Sequence, residues 1–307
     1  MIDILIIGAG PAGMSAGIYG ARAGYETVIL EGMFAGGQIS KTSMLENYLG
    51  FQNGVEGIEF SMASREQTIQ SGAKMITDLV EKVELAGSTK KVTGKSGEVY
   101  EAKTVILAMG AEPRSLGIEN EKKFEGRGVS YCATCDGALY KGKQVAVIGG
   151  GDTALEDAHY LSKFAQKVTI VHRRNEFRGQ KVLEQRCRAK ENIEFCLNKV
   201  PQKIEGDQVV SSLVVQDVAT KETQKLEVQG IFLAVGYVPN TKWLEGAVAC
   251  NDYGYIIAGE DTKTNIPGVF VAGDVRTKKL RQVATAVADG AVAASEAAEY
   301  ISSGAAQ

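Results

Sequence analysis

Cys132-Ala133-Thr134-Cys135-Asp136 sets two thiols on either side of two small residues, with a carboxylate directly behind them. A pair so spaced can close a small reversible disulfide. Its thiolate can be stabilised by a helix N-terminus or a nearby charge. Asp136 can give or take the proton of an exchanging thiol, and capping a helix there is compatible with that role. Two other readings stay open: half of a zinc site, or two inert core thiols. Zinc would need further ligands from Cys187, Cys196, Cys250, His159 and His172, none of which forms a second Cys-x-x-Cys, so no metal is expected. Redox exchange is the favoured chemistry.

Two glycine fingerprints accompany the dithiol. Gly8-Ala9-Gly10-Pro11-Ala12-Gly13 follows an apolar strand over 2–7 and opens a helix over 12–23; the next strand, 27–30, ends in Glu31. Glycines there permit a tight turn against a pyrophosphate, and the helix N-terminus presents N–H groups and positive dipole to that anion. An acid at this distance suits a ribose 2'-hydroxyl. Alone, such a fingerprint can be a chance surface turn; the strand, helix and acid around it argue against that. The pattern repeats at Gly149-Gly150-Gly151-Asp152-Thr153-Ala154, with strand 144–148, helix 153–164 and strand 167–171. Where the first unit had an acid, this one has His172-Arg173-Arg174 and, nearby, Arg178. Guanidinium groups bind a 2'-phosphate that an acid would repel, which selects NADP(H) over NAD(H). The alternative is a solvated basic turn, and the position at a strand end argues against it.

The elements that must hold these groups form an α/β chain of two Rossmann-like dinucleotide-binding domains, the second inserted into the first. The expected boundaries are 1–113, 114–243 and 244–307, with crossings near Pro113 and Pro239. Residues 73–95 read as a hairpin-rich β insertion. Residues 105–110 and 231–236 read as apolar strands, 269–274 as a strand with an acidic end, and 283–301 as a final helix. The 307 residues are 44% hydrophobic and 23% charged, an ordinary globular composition. A formal charge of −3 gives no reason to expect a nucleic acid partner, and no apolar run reaches a membrane span. The strand that begins at Ile2 leaves no room for a signal peptide. Five cysteines do not make a secreted disulfide framework, so the expected compartment is the cytoplasm. Cys187, Cys196 and Cys250 are expected to be small buried hydrophobes and His159 structural. With only two histidines, a hydrolase triad is disfavoured.

These motifs, in this order, resemble the low-molecular-weight, bacterial-type thioredoxin reductases over essentially the whole chain. The resemblance includes the stretch from Gly32 through Met33 to Gln38, Glu46-Asn47-Tyr48, Gly273-Asp274 and Arg281-Gln282. Leu49 and Met109 depart from it, standing where proline and threonine are usual. The resemblance implies FAD in the outer domain, NADPH in the inserted one, and a homodimer contacting mainly through the FAD domains. It places Gly8, Gly10, Pro11, Ala12, Gly13, Glu31, Gly36, Gly37, Gln38, Asn47, Gly273, Asp274, Arg281, Gln282 and Val283 at FAD. It assigns Gly149, Gly151, Asp152, Thr153, Ala154, His172, Arg173, Arg174 and Arg178 to NADPH. Cys135 becomes the sulfur nearer the flavin, Cys132 the one that attacks thioredoxin or a thioredoxin-like protein, and Asp136 the general acid. Dithiol and nicotinamide must both reach one flavin, so the inserted domain is expected to rotate on its crossings. Rival readings are the flavoprotein component of an alkyl hydroperoxide reductase, a ferredoxin-NADP reductase, and a non-catalytic NADP-binding module. The dithiol argues against the last two, and the first usually carries an N-terminal thioredoxin-like extension.

Overall fold

The computed structural model describes every residue except Met33, Ser43, Glu245, Ala306 and Gln307. Met33, part of the stretch matched above, therefore lies outside the described residues. Two compact units result: Met1–Glu112 with Val238–Gln307, and Pro113–Tyr237. The outgoing part of the first unit holds β1 (Ile2–Ile7), α1 (Pro11–Arg22), β2 (Thr27–Glu31) and α2 (Gly57–Gln70). It continues with β3 (Lys74–Thr77), β4 (Val80–Glu84), β5 (Lys90–Gly94), β6 (Val99–Leu107) and β7 (Ala111–Pro113). The second unit holds β8 (Val129–Ser130), α3 (Ala133–Asp136), β9 (Gln144–Ile148), α4 (Asp152–Leu161), β10 (Lys167–His172) and α5 (Lys181–Arg188). It closes with β11 (Ile193–Leu197), β12 (Lys199–Gly206), β13 (Val210–Asp217), β14 (Thr223–Glu227) and β15 (Gly230–Leu233). The returning chain adds β16 (Tyr237–Pro239), β17 (Val269–Val271) and α6 (Val283–Ser302).

In the first unit β1 is covered on both faces, which is why it reads as an unbroken apolar run. It pairs in parallel with β2 and β6, and the sheet runs β3-β2-β1-β6-β5-β4 with β17 also on β6. Ile4 and Ile6 face the small residues of α1 and α6, whereas Leu5 and Ile7 face the opposite core. The two helices nearly touch: a Cβ at Gly290 would lie 2.1 Å from the Ala12 carbonyl oxygen. Pro11 begins α1, where its missing N–H costs nothing.

The second unit repeats the plan with an all-parallel sheet, β11-β10-β9-β15-β8. Val145 and Val147 pack on α4 and α5 through Leu155, Ala158 and Cys187. Ala146 and Ile148 pack on the antiparallel sheet β12-β13-β14 through Ile204, Leu213 and Val215.

Several elements differ from expectation. The β insertion is a parallel strand, β3, beside β2, followed by the β4–β5 hairpin. Helices α2 and α5 and the β12–β14 sheet were not anticipated. The return to the first unit falls at Tyr237/Val238 and not at 243/244. The cause is local: the Asn240 amide N–H donates to Gly110 O (3.1 Å) and its side chain to Met109 O (3.0 Å), while Trp243 and Leu244 join the core behind Leu5. Among the described residues no helix is long and apolar enough to cross a membrane.

Candidate functional site

In the first unit the glycines of the opening fingerprint have distinct reasons for being there. Gly8, at φ +107°, lies so close to the β6 exit that a Cβ would meet the Ala108 oxygen at 2.5 Å, and one on Gly13 would meet the Gly8 oxygen at 1.8 Å. Gly10 is different. Its φ of −76° suits any residue, and beyond its chain neighbours no atom of the described residues lies within 4 Å of the position a Cβ would take. Packing does not require glycine there, whereas close approach of a ligand to the N-terminus of α1 would.

Other residues assigned to this site gather at the same turn. The Gly36 amide donates to Ala9 O (2.7 Å), Gly37 abuts Gly10, and Gly273 lies against Ala12. Asn47 donates to Gln282 Oε1 (2.9 Å), and Gln282 caps α6 through a reciprocal box with Thr285, ahead of Val283. Gln38 is half-buried beside them in a short 3-10 turn.

Two carboxylates fit a polyhydroxylated group here. Glu31 Oε2 and Asp274 Oδ1 are buried, with no hydrogen-bond partner among the described residues. A buried acceptor left so costs about 1–3 kcal/mol, which a ribose diol and a ribityl hydroxyl would recover. Burial pushes the Asp274 carboxyl above the ordinary aspartate range, against the pull of Lys278 and Arg281. Its turn is fixed from behind by Asp289, a residue the sequence reading missed. Asp289 accepts from the Gly273 amide (2.9 Å), from Arg276 in bidentate fashion (2.8 and 2.7 Å) and from Lys278 (2.7 Å). An acid on the buried face of an alanine-rich helix was the available signal. Arg281 lies over the Tyr255 ring at 4.1 Å and reaches the Asp274 carbonyl (3.4 Å).

The second unit builds a matching cradle. A Cβ on Gly149 would meet the Ala234 oxygen at 2.5 Å, repeating Gly8. Gly151 repeats Gly10: the nearest atom to its absent Cβ is Nη2 of Arg178, at 3.7 Å. The basic loop folds back over this turn, with the Arg178 and Gly179 amides both donating to Gly150 O. Asp152 anchors it, accepting from the Gln180 backbone (2.7 Å) and side chain (3.1 Å), contacts that hold its carboxyl below the usual range. Thr153 is exposed and Ala154 buried at the head of α4.

Arg173, Arg174 and Arg178 are exposed, as an anion site requires. His172 is not: it is 9% exposed, stacks on Phe177 at 5.3 Å and approaches the Glu176 carbonyl through Nε2 (3.1 Å). Its ring lies where a Gly150 Cβ would fall, 2.1 Å away. Burial, aided by the three arginines, holds its pKa below the ordinary histidine value. The imidazole supports the turn from inside and shapes the loop that carries the arginines.

The dithiol stands as a Cys132–Cys135 disulfide, with Cα atoms 5.3 Å apart and both residues half-buried. Cys132 is the N-cap of α3: its sulfur accepts from the Cys135 amide (3.2 Å) and contacts the Thr134 hydroxyl (3.4 Å). Asp136 ends the same short helix, and its Oδ2 accepts from Ser130 (2.7 Å), a partner the sequence reading did not identify. Tyr140 behind it is pushed up to about 12 by burial and by the Asp136 charge, so it stays a neutral phenol. Burial raises the other three thiols, which keeps them protonated at neutral pH. Cys187 is buried as expected and Cys196 half-buried, but Cys250 is exposed because it sits on an isolated bridge to Ile256 at the surface. His159, within α4, is buried at Nδ1 without a partner among the described residues.

The contrast between the glycines makes a direct prediction. Gly10→Ala should leave the urea stability of the apoprotein within about 1 kcal/mol of the parent, while the purified protein loses its flavin absorbance. Gly8→Ala should destabilise the fold itself. Equal destabilisation by the two changes, or flavin retained by Gly10→Ala, would contradict the role given to Gly10.

Comparison with known proteins places this geometry. A family model described as pyridine nucleotide-disulphide oxidoreductase matches residues 2–290. A thioredoxin reductase of Peptoclostridium acidaminophilum is 44% identical over 305 residues, 97% of this chain and 96% of that one. A bifunctional thioredoxin reductase/thioredoxin of Mycobacterium leprae is 41% identical over 97% of this chain and 66% of its own length. The crystal structure of thioredoxin reductase from Streptococcus pyogenes superposes with a TM-score of 0.94 at 41% identity, covering 99% of each chain. Likeness of this extent, in sequence and in fold, assigns the chain to the pyridine nucleotide-disulphide oxidoreductases, as a member of their thioredoxin reductase family.

Proposed function

We propose that the chain reduces the disulfide of thioredoxin or a thioredoxin-like protein at the expense of NADPH, with FAD as resident cofactor. The observation that carries this reading is the Cys132–Cys135 disulfide closed on the short helix that also bears Asp136. Family membership supports it, and so does the Mycobacterium leprae relative, in which reductase and thioredoxin share one chain.

When bound, FAD supplies the two-electron relay between nicotinamide and disulfide. Glu31 and Asp274 would hold its ribose and ribityl hydroxyls. The Gly10 turn and the N-terminus of α1 would hold the pyrophosphate, and Gly36, Gly37, Gln38, Asn47 and the head of α6 would border the ring system. In the second unit Gly151 and α4 would hold the pyrophosphate of NADPH, and Arg173, Arg174 and Arg178 its 2'-phosphate. The Cys135 amide beside Cys132 Sγ favours a thiolate there once the disulfide opens, which makes Cys132 the attacking sulfur. Asp136 delivers the proton. The dithiol and the second fingerprint belong to one unit and the flavin residues to the other. The crossings β7 and β16, which pair as a two-stranded ribbon, are the axis on which the inserted unit turns to offer each in succession. A dithiol that must be kept reducible fits a cytoplasmic setting.

Oxidation of NADPH should depend on oxidised thioredoxin and fall at least about a thousandfold in Cys132→Ser or Cys135→Ser. Turnover surviving either change would remove the reading. In Arg173→Ala/Arg174→Ala the KM for NADPH should rise about 10- to 100-fold with NADH nearly unaffected, since charge-assisted bonds to phosphate are lost; equal losses would discredit the 2'-phosphate assignment.

We also infer a homodimer. Ile58, Met62 and Ile69 form one exposed apolar stripe along α2 in the first unit, which a second copy would cover. Equilibrium sedimentation should report two chains at micromolar concentration, and a single chain would rule the dimer out.

A further inference from the structure

We infer that Ser130 is a positioning residue for the dithiol, holding Asp136 and the Cys132 amide in one fixed relation through a single hydroxyl. The inference rests on the proposed role of Asp136 as proton donor and goes beyond it.

Ser130 is 4% exposed and ends β8, the edge strand paired with β15 through Phe232. Its Oγ accepts from the Cys132 amide (3.1 Å). It has one proton to give. Asp136 Oδ2 lies 2.7 Å away and the Cys132 carbonyl 3.3 Å, so the shorter bond, to the carboxyl oxygen, takes it. A buried hydroxyl on a rigid sheet thus joins the first residue of the dithiol to the acid at the far end of the helix. The helix itself is only four residues long and cannot supply that rigidity.

The need for such a brace follows from the exchange. Cys132, as thiolate, attacks the partner disulfide: a new S–S bond forms, the partner's own breaks, and the departing thiolate takes a proton from Asp136. Cys135 then attacks Cys132 Sγ. Its proton returns to Asp136, the mixed disulfide breaks, and the second partner thiolate takes a proton from solvent. Two electrons leave the dithiol and Asp136 ends protonated, as it began. Both sulfurs change bonding within this cycle, yet the acid must meet first a departing thiolate and then Cys135. A hydroxyl donating to Oδ2 directs the mobile proton to the other carboxyl oxygen and keeps it there through both steps.

The test is a double-mutant cycle on the holoenzyme, reduced with dithiothreitol, freed of reductant and mixed with an oxidised bacterial thioredoxin in a single turnover. Ser130→Ala should slow the exchange about tenfold, a fraction of what a general acid contributes, with thioredoxin affinity unchanged. Ser130→Thr, which keeps the hydroxyl, should recover most of the rate. In an Asp136→Asn background Ser130→Ala should cost little further, because the hydroxyl acts through the carboxylate. An unaltered rate in Ser130→Ala overturns the inference, as does the same tenfold loss in both backgrounds. If the unmodified protein fails to exchange with thioredoxin, the functional reading falls and this inference with it; normal exchange in the parent and Ser130→Ala alike removes the inference alone.

Discussion

Each unit is organised around one close approach of backbone to backbone. The first glycine of each fingerprint lies against the carbonyl at the end of a neighbouring parallel strand, Gly8 on Ala108 and Gly149 on Ala234, with room for no side chain. That contact forces the turn between strand and helix to be tight, and the tight turn aims the N-terminus of α1 or α4 outward. The rest of each cradle is built on that turn. Gly10 and Gly151 face the opening so created, Glu31 or the arginine loop arrives from the next strand, and the apolar strands lock the geometry from below. The two cradles differ in the charge that closes them: a buried carboxylate ends β2, and three exposed guanidinium groups follow β10.

The dithiol is tied to the covalent links between the units by a small polar network inside the second unit. Tyr131, immediately before Cys132, donates its hydroxyl to Glu121 (3.1 Å) and accepts at its carbonyl from Tyr237 (3.0 Å). Glu121, almost wholly buried, also accepts from the amides of Leu116 and Ile118, just beyond the outgoing crossing, while Tyr237 begins the return crossing. The feet of both crossings are thus hydrogen-bonded to the residue that leads into the reactive disulfide. Buried networks of this kind are rigid when every member is satisfied.

The two strand–turn–helix repeats, the final helix and the dithiol were legible because each rests on a local rule: unbroken apolar runs for doubly covered strands, glycine at a fixed offset, an acid or arginines at the strand end. Helix α2 was not, because it buries Gly57, Ser61 and Thr68 along with Phe60, while its apolar residues Ile58, Met62 and Ile69 lie on the exposed face. The β12–β14 sheet is rich in lysine, glutamate and glutamine with one face exposed, and its register shifts within β12 blur the alternation. The inward packing of His172 was hidden for a comparable reason. Next to two arginines it reads as a third cation, and only its packing against Gly150 and Phe177 turns it inward. Ser130 left no mark either, since a two-residue strand has no period to read. Local pattern thus recovers what one element dictates, and it misses what a side chain owes to a neighbour distant in sequence.

The most direct measurement is an anaerobic titration of the holoenzyme with NADPH, following flavin absorbance and counting electrons taken up per chain. Flavin and disulfide in one circuit require about four electrons, two for each centre, falling to about two in Cys135→Ser. Uptake of only two by the unmodified protein would leave the Cys132–Cys135 pair outside the electron path and contradict the proposed function.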